Sequence, residues 1–259
     1  MYSLNGVALD NPTLKWSLQD STEPYLGVSR RTSDLSVAGR DGNVWVPSSA
    51  DSPVMSLVVR TDDTHLDALL ALLESPTLTI SRPLRWADVE LLSASPRIVG
   101  GMLSIVDVTV LLRFNDVFWR DYAATTETFT IPDADETFTV MSGLSAPVRD
   151  AVIRVGGSVT GLKVTAANGS FFSYAPNVPS GSFLRFEAAT GRAFVTSSDT
   201  WTGGTEVTGS VVNGPGPYFL EAIPQFTDPT TRATTFRVTT SVRAGSPQFA
   251  VRAKRAYRV

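Results

Sequence analysis

At 259 residues, with 42% hydrophobic and 18% charged content, the sequence describes one large or two ordinary globular domains and excludes a disordered chain. Its net charge of -3 is spread thinly: 10 basic against 14 acidic residues up to Arg120, then 12 against 11. Neither half carries the basic footprint of a nucleic-acid binder. The absence of cysteine rules out disulfides, thiolate catalysis and cysteine-ligated metal.

The first elements are a short strand at Gly6–Leu9, a turn at Asp10-Asn11-Pro12, and an alternating stretch through Leu14, Trp16 and Leu18. Val28–Ser33 reads as extended. Gly39-Arg40-Asp41-Gly42 marks a tight loop, with Trp45 just beyond it. The long polar segment around Ser29–Pro53 is either an idle connection or a piece ordered against a neighbouring subunit. Val54–Val59 is a short strand of the buried type. A helix follows, with N-cap oxygens at Asp62, Asp63 and Thr64, an apolar face of Leu66, Leu69, Leu70 and Leu73, and a stop at Pro76. Thr77–Ser81 and Asp88–Leu92 are strands about a turn at Arg82-Pro83-Leu84.

Leu103–Asp121 dominates the pattern. Val106, Val108, Val110, Leu112 and Phe114 share one face of a long strand, Asn115-Asp116 breaks it, and Phe118-Trp119 follows. A domain boundary is placed here, giving domains 1–121 and 122–259. Beyond it come short strands and turns: Glu127–Ile131, Thr137–Val140, Val148–Val155, Leu162–Thr165, Phe171–Tyr174, Phe183–Glu187, Arg192–Thr196, Phe236–Val242 and Phe249–Val259. Asn168-Gly169 is a strong hairpin signal, and Ala188–Gly191 joins a second hairpin. Strands at this spacing imply an antiparallel sandwich.

Chemistry is sparse. The single histidine, His65, falls in the first helical turn without the second ligand or base that catalysis or metal binding needs. No GxSxG elbow, HExxH, GxGxxG or Walker motif occurs. Asp133, Asp135 and Glu136 lack EF-hand spacing and suit a turn after Pro132. Carboxylate pairs of the glycosidase kind depend on tertiary distance and stay open. Phe171, Phe172, Tyr174, Trp201 and Tyr218 are either core or a sugar-stacking surface. Trp201, among Thr200, Thr202, Gly203 and Gly204, is the best candidate for an exposed glycan contact. The final strand puts Arg252, Lys254, Arg255 and Arg258 on a charged face or against an acidic subunit.

In order along the chain, GRDG at Gly39–Gly42, the lone helix His65–Leu73, FNDVFWRD at Phe114–Asp121, GSFLRFEAATGRAFV at Gly181–Val195 and the closing Arg- and Tyr-rich strand resemble the distal tail protein (Dit) family of long-tailed bacteriophages. Val117 stands where that family often has Pro, and Phe186-Glu187 where Ile-Asp is commoner. The resemblance implies a mainly β chain. Its first domain would be a split β-barrel with one helix, assembling as a hexameric ring about the tail channel. Its second would be a galectin-like antiparallel β-sandwich. Such a ring joins the tail tube to the tail-tip, tape-measure or receptor-binding proteins and lets DNA pass without specific binding. It needs no enzyme activity, cofactor, metal or membrane insertion, and resides at the distal end of the virion tail. The loop Gly39, Arg40, Asp41, Gly42 with Trp45 is then the expected subunit contact, and the channel wall is expected to be more acidic than basic.

Overall fold

The computed structural model describes residues 1–22, 33–36, 43–46, 52–99, 102–214, 219–225 and 230–258. The chain divides into two compact units, Met1–Arg120 with Arg258–Val259, and Asp121–Tyr257. It is mainly β, with one α-helix among the described residues.

The first unit opens with β1 (Ser3–Leu4) and β2 (Val7–Ala8). Asn5 and Gly6 between them both have positive φ (47° and 80°), the signature of a two-residue hairpin turn. Gly6 therefore belongs to the turn, and the strand expected at Gly6–Leu9 is correspondingly shorter. Asn11 Oδ1 accepts from the backbone N–H of Thr13 and Leu14 at 3.1 and 3.2 Å, closing the expected turn ahead of buried Trp16 and β3 (Ser17–Ser21). A separate hairpin pairs β4 (Ser33–Ser36) with β5 (Asn43–Val46).

In β6 (Val54–Asp62) Met55, Leu57 and Val59 are fully buried, while Ser56 and Val58 between them are half-buried. The strand is thus longer than expected and one-sided, since only one face is covered by the helix α1 (Asp63–Leu73). Leu69 and Leu73 are the buried residues of α1, with Leu66 and Leu70 half-buried beside them. Next come β7 (Leu78–Arg82), β8 (Arg85–Val99) and β9 (Met102–Phe114). They form a curled half-barrel sheet in the order β2-β1-β7-β8-β9-β6-β3. The expected strand Asp88–Leu92 is only the middle of β8. Its continuation pairs with β9 through Ile98↔Val106, passing a register shift between Leu91 and Ser93. Pro96 sits on the part of β8 that runs past β7, where a missing donor is tolerated. The strand β10 (Trp119–Asp121) begins with the buried indole of Trp119.

The second unit is a β-sandwich. Its strands are β11 (Thr125–Thr130), β12 (Asp135–Val140), β13 (Val152–Thr160), β14 (Leu162–Ala166), β15 (Phe171–Tyr174), β16 (Phe183–Glu187) and β17 (Arg192–Thr196). They are followed by β18 (Thr205–Glu206), β19 (Val211–Asn213), β20 (Thr234–Thr239) and β21 (Val242–Ala253). One sheet runs β11-β21-β13-β16-β17-β18 and the other β12-β20-β14-β15-β19. Aromatic pairs join the sheets: Phe172 on β15 stacks on Phe186 of β16 at 4.1 Å, and Phe138 on β12 stacks on Phe249 of β21 at 5.3 Å.

Both expected hairpins form, with positive φ at Gly169 (85°) and Gly191 (68°). The closing region differs from expectation. The expected strands are Phe236–Val242 and Phe249–Val259, whereas β20 ends at Thr239 and β21 runs from Val242 through Gly245-Ser246-Pro247 to Ala253. The register with β13 shifts there: Gly245, Ser246 and Pro247 stand against the single residue Gly157, a bulge in β21 with positive φ at Gly157 and Gly245.

Candidate interaction surfaces

The half-barrel has one face under α1 and one without it. On the helix-free face β6, β9 and β8 align charges across strands: Arg60 stands opposite Asp107, which stands opposite Arg97. Arg60 donates to Asp107 through Nε at 2.7 Å and Nη2 at 2.9 Å, a bidentate pair. That hydrogen bond, with the Arg97 charge adding to it, holds the Asp107 carboxyl below its ordinary value. Arg113 and Glu90 form a second cross-strand pair. Thr109, Val58, Leu111 and Ser56 lie between these rows. Such a face suits a polar, charge-matched neighbour rather than a dry core.

The one histidine sits in a cap. Asp62 is the N-cap of α1: its Oδ1 accepts the His65 backbone N–H at 2.9 Å and lies 2.6 Å from His65 Nδ1, while Oδ2 accepts from Lys15 Nζ at 2.9 Å. Lys15, ahead of His65, draws the Asp62 carboxyl down to about 2. A carboxyl depressed on folding contributes stability that is complete above its unfolded value near ~4 and disappears as pH falls toward its folded value. The denaturation midpoint of the parent chain should therefore drop across that acid window more steeply than that of Asp62→Asn. Parallel slopes in midpoint-against-pH curves would contradict the assignment.

Two of the three acids after Pro132, Asp133 and Asp135, are committed to arginines. Asp135 forms a bidentate pair with Arg237, and Asp133 lies 3.6 Å from Arg243. Among the described residues, no group of three or more potential ligands could hold a metal ion.

Of the expected subunit-contact residues, Gly39, Arg40, Asp41 and Gly42 lie outside the described residues. Trp45 is in β5, its Cα opposite that of Asp34. Trp201 lies in the 197–204 connection between β17 and β18 and is half-buried. The Arg154 guanidinium is 4.4 Å from its ring centroid and that of Arg252 is 5.7 Å away. Among the other aromatics, Phe172 and Tyr174 are core, and Lys163 Nζ lies 3.9 Å from the Phe171 ring centroid. Tyr218 is outside the described residues. The arginines around Trp201 carry no local motif. They come together only because β13, β16 and β21 are neighbours in one sheet.

A curled half-barrel bearing one helix, followed in the chain by a two-sheet sandwich, defines a two-unit structural class. The chain shares this fold with the crystal structure of SPP1 Dit (gp 19.1), described as a paradigm of the hub adsorption apparatus in phages infecting Gram-positive bacteria. The TM-score is 0.62 at 14% identity, over 98% of this chain and 99% of that one. The motif-based resemblance to Dit is thus matched by a likeness of fold. Two structures of the phage p2 baseplate in its activated conformation, with Sr and with Ca, align at TM-scores of 0.36 and 0.35. Identities are 9% and 8%, over 92% of this chain and 90% of each of those. These scores are too low to equate the folds. No protein-family model matches the sequence, and no curated protein matches it.

Proposed function

We propose that this chain is a structural hub at the distal end of a long-tailed bacteriophage tail. Copies close into a hexameric ring that joins the tail tube to the tail-tip or baseplate proteins, and DNA passes through its channel. The observation that carries the reading is the shared fold with SPP1 Dit along almost the full length of both chains. The half-barrel supports it. Its sheet path ends at β2 and β3, and closed cyclic symmetry is a way to cover strand edges that would otherwise invite aggregation. The charge-laced face provides specific, polar mating surface.

In this reading residues 1–121 build the ring, 122–259 project from it, and the Gly39–Gly42 loop with Trp45 contacts the neighbouring copy. The channel wall carries more acid than base, so that phosphates find few cations. Tape-measure and receptor-binding proteins are further partners, and the role is architectural rather than enzymatic.

Light scattering and negative-stain electron microscopy of the purified chain test this. Particles near six times the 27.8 kDa chain mass, with a central hole, are expected. Combined Arg40→Ala and Trp45→Ala substitution should shift them toward smaller species. A chain that stays monomeric when concentrated and when mixed with tail-tube protein would sink the proposal.

A second reading, a carbohydrate-binding sandwich for host adhesion, is favoured by the half-buried Trp201 ring on its loop. It is compatible with the first, because the sandwich is a separate unit.

A further inference from the structure

The six-stranded sheet has a second face, turned away from the sandwich interior, and it carries arginines. Arg154 on β13 stands directly opposite Arg185 on β16, and they are only 7% and 3% exposed. Like charges directly opposite each other destabilise paired strands, and a buried guanidinium needs acceptors for its donors. Arg154 has one: its Nη1 pairs with Asp199, and its guanidinium lies 5.1 Å from the Phe183 ring centroid and 4.4 Å from that of Trp201.

Arg185 is less well served. Its Nη2 reaches Glu187 Oε1 at 3.3 Å, and its guanidinium lies 4.5 Å from the Phe194 ring centroid. Its Nε and Nη1 are buried without any hydrogen-bond partner. Arg192, paired with Glu206, and Arg252, beside Trp201, bring the tier to four guanidiniums on three carboxylates.

The 197–204 connection roofs this tier through Asp199 and Trp201. It is held by Thr200 Oγ1 donating to Thr202 O at 2.9 Å, and by Gly204 (φ 101°), where a Cβ would meet Val195 O at 2.9 Å. The Asp199 side chain is 64% exposed although its arginine partner is buried. It is the acceptor that a solute could replace from outside.

We propose that this tier binds an anionic saccharide, a sugar bearing a phosphate or a carboxylate. The anion takes the place of Asp199 on Arg154 and meets the two uncommitted nitrogens of Arg185, Nε and Nη1, and the sugar ring packs at Trp201. Guanidinium forks match phosphate and carboxylate geometry, and an indole beside them provides the apolar surface for the sugar ring. The site rests on the carbohydrate-binding reading and is independent of the ring reading, so either of the two can fail alone.

Calorimetric titration of the full chain with glucose 1-phosphate, glucuronate, inorganic phosphate and glucose tests it. The charged sugars should bind, glucose should not, and phosphate alone should bind about tenfold more weakly. Arg185→Met should weaken the charged sugars by about tenfold or more while the denaturation midpoint holds or rises, since an apolar replacement relieves a buried, under-satisfied charge. Asp199→Asn should tighten binding by removing the internal competitor, and Trp201→Ala should abolish the advantage of sugar over phosphate.

Several outcomes would overturn the proposal. These are no binding of any charged sugar, binding indifferent to Arg185→Met, or phosphate binding as tightly as glucose 1-phosphate, which would mark an adventitious ion only. Capture of an aspartate-rich peptide with the sugars inert would also overturn it and assign the face to a protein partner.

Discussion

Trp119→Ala should cost the first unit about 3–5 kcal/mol, the range for truncating a buried aromatic. Trp119 is fully buried, its ring meets Phe114 edge-on at 5.1 Å and lies 6.4 Å from Tyr2, and the Arg82 guanidinium sits 4.6 Å from its centroid. These partners come from β9, β7 and the N-terminal hairpin region, so one indole ties distant parts of the sheet together. Its Nε1 is buried and makes no hydrogen bond. Trp119→Phe should therefore lose area without losing a bond, and cost only about 1–2 kcal/mol. Urea denaturation of the full chain, with hydrogen exchange localised to β7–β9, measures both. An unchanged midpoint for Trp119→Ala would contradict the packing described.

Phe249→Ala should be comparably damaging to the sandwich, at about 3–5 kcal/mol. Phe249 on β21 is fully buried and faces Phe138 at 5.3 Å, Phe236 at 6.0 Å and Phe129 at 6.4 Å. Two of those rings belong to the opposite sheet, so the truncation opens a cavity at the junction of the layers rather than along one strand. Val242→Ala makes the control: it lies on the same strand but is 63% exposed, and should stay within about 0.5 kcal/mol of the parent. Equal losses for the two would show that β21 is stabilised by its backbone ladder and not by the aromatic cluster.

Much of the secondary structure was legible because local signals agreed with one another. The Leu66–Leu73 spacing, the Asp62 carboxylate and Pro76 all point to one helix, and α1 is found there with Asp62 as its cap. The alternation from Val106 to Phe114 likewise delivers β9, with that face buried. Local spacing and the fold part company where a local signal stands against a non-local one. The expected strands Phe236–Val242 and Phe249–Val259 leave Arg243–Gln248 unassigned, but pairing with β13 on both sides of Gly245-Ser246-Pro247 carries β21 across it. Ser93–Val99 has little strand signal of its own and is extended because β9 pairs with it. At Asn5-Gly6 a readable hairpin signal lay within a segment too short to attract attention as a pair of strands.

The candidate site divides in the same way. The setting of Trp201 in a glycine-flanked loop is visible in the sequence. The arginines beneath it are not, because Arg154, Arg185 and Arg252 are far apart along the chain and each looks like an ordinary solvent-facing strand residue.

By itself the sequence determined the mainly β class, the position of the helix, the turns of both sandwich hairpins and which face of β9 is apolar. Those depend on periodicity and backbone preference, which act over a few residues. Tertiary structure alone decided the strand order, the bridging of bulges and the burial of Arg154 and Arg185. Each of these depends on which distant strand supplies the neighbouring side chains, and residue spacing along one strand carries no record of that choice.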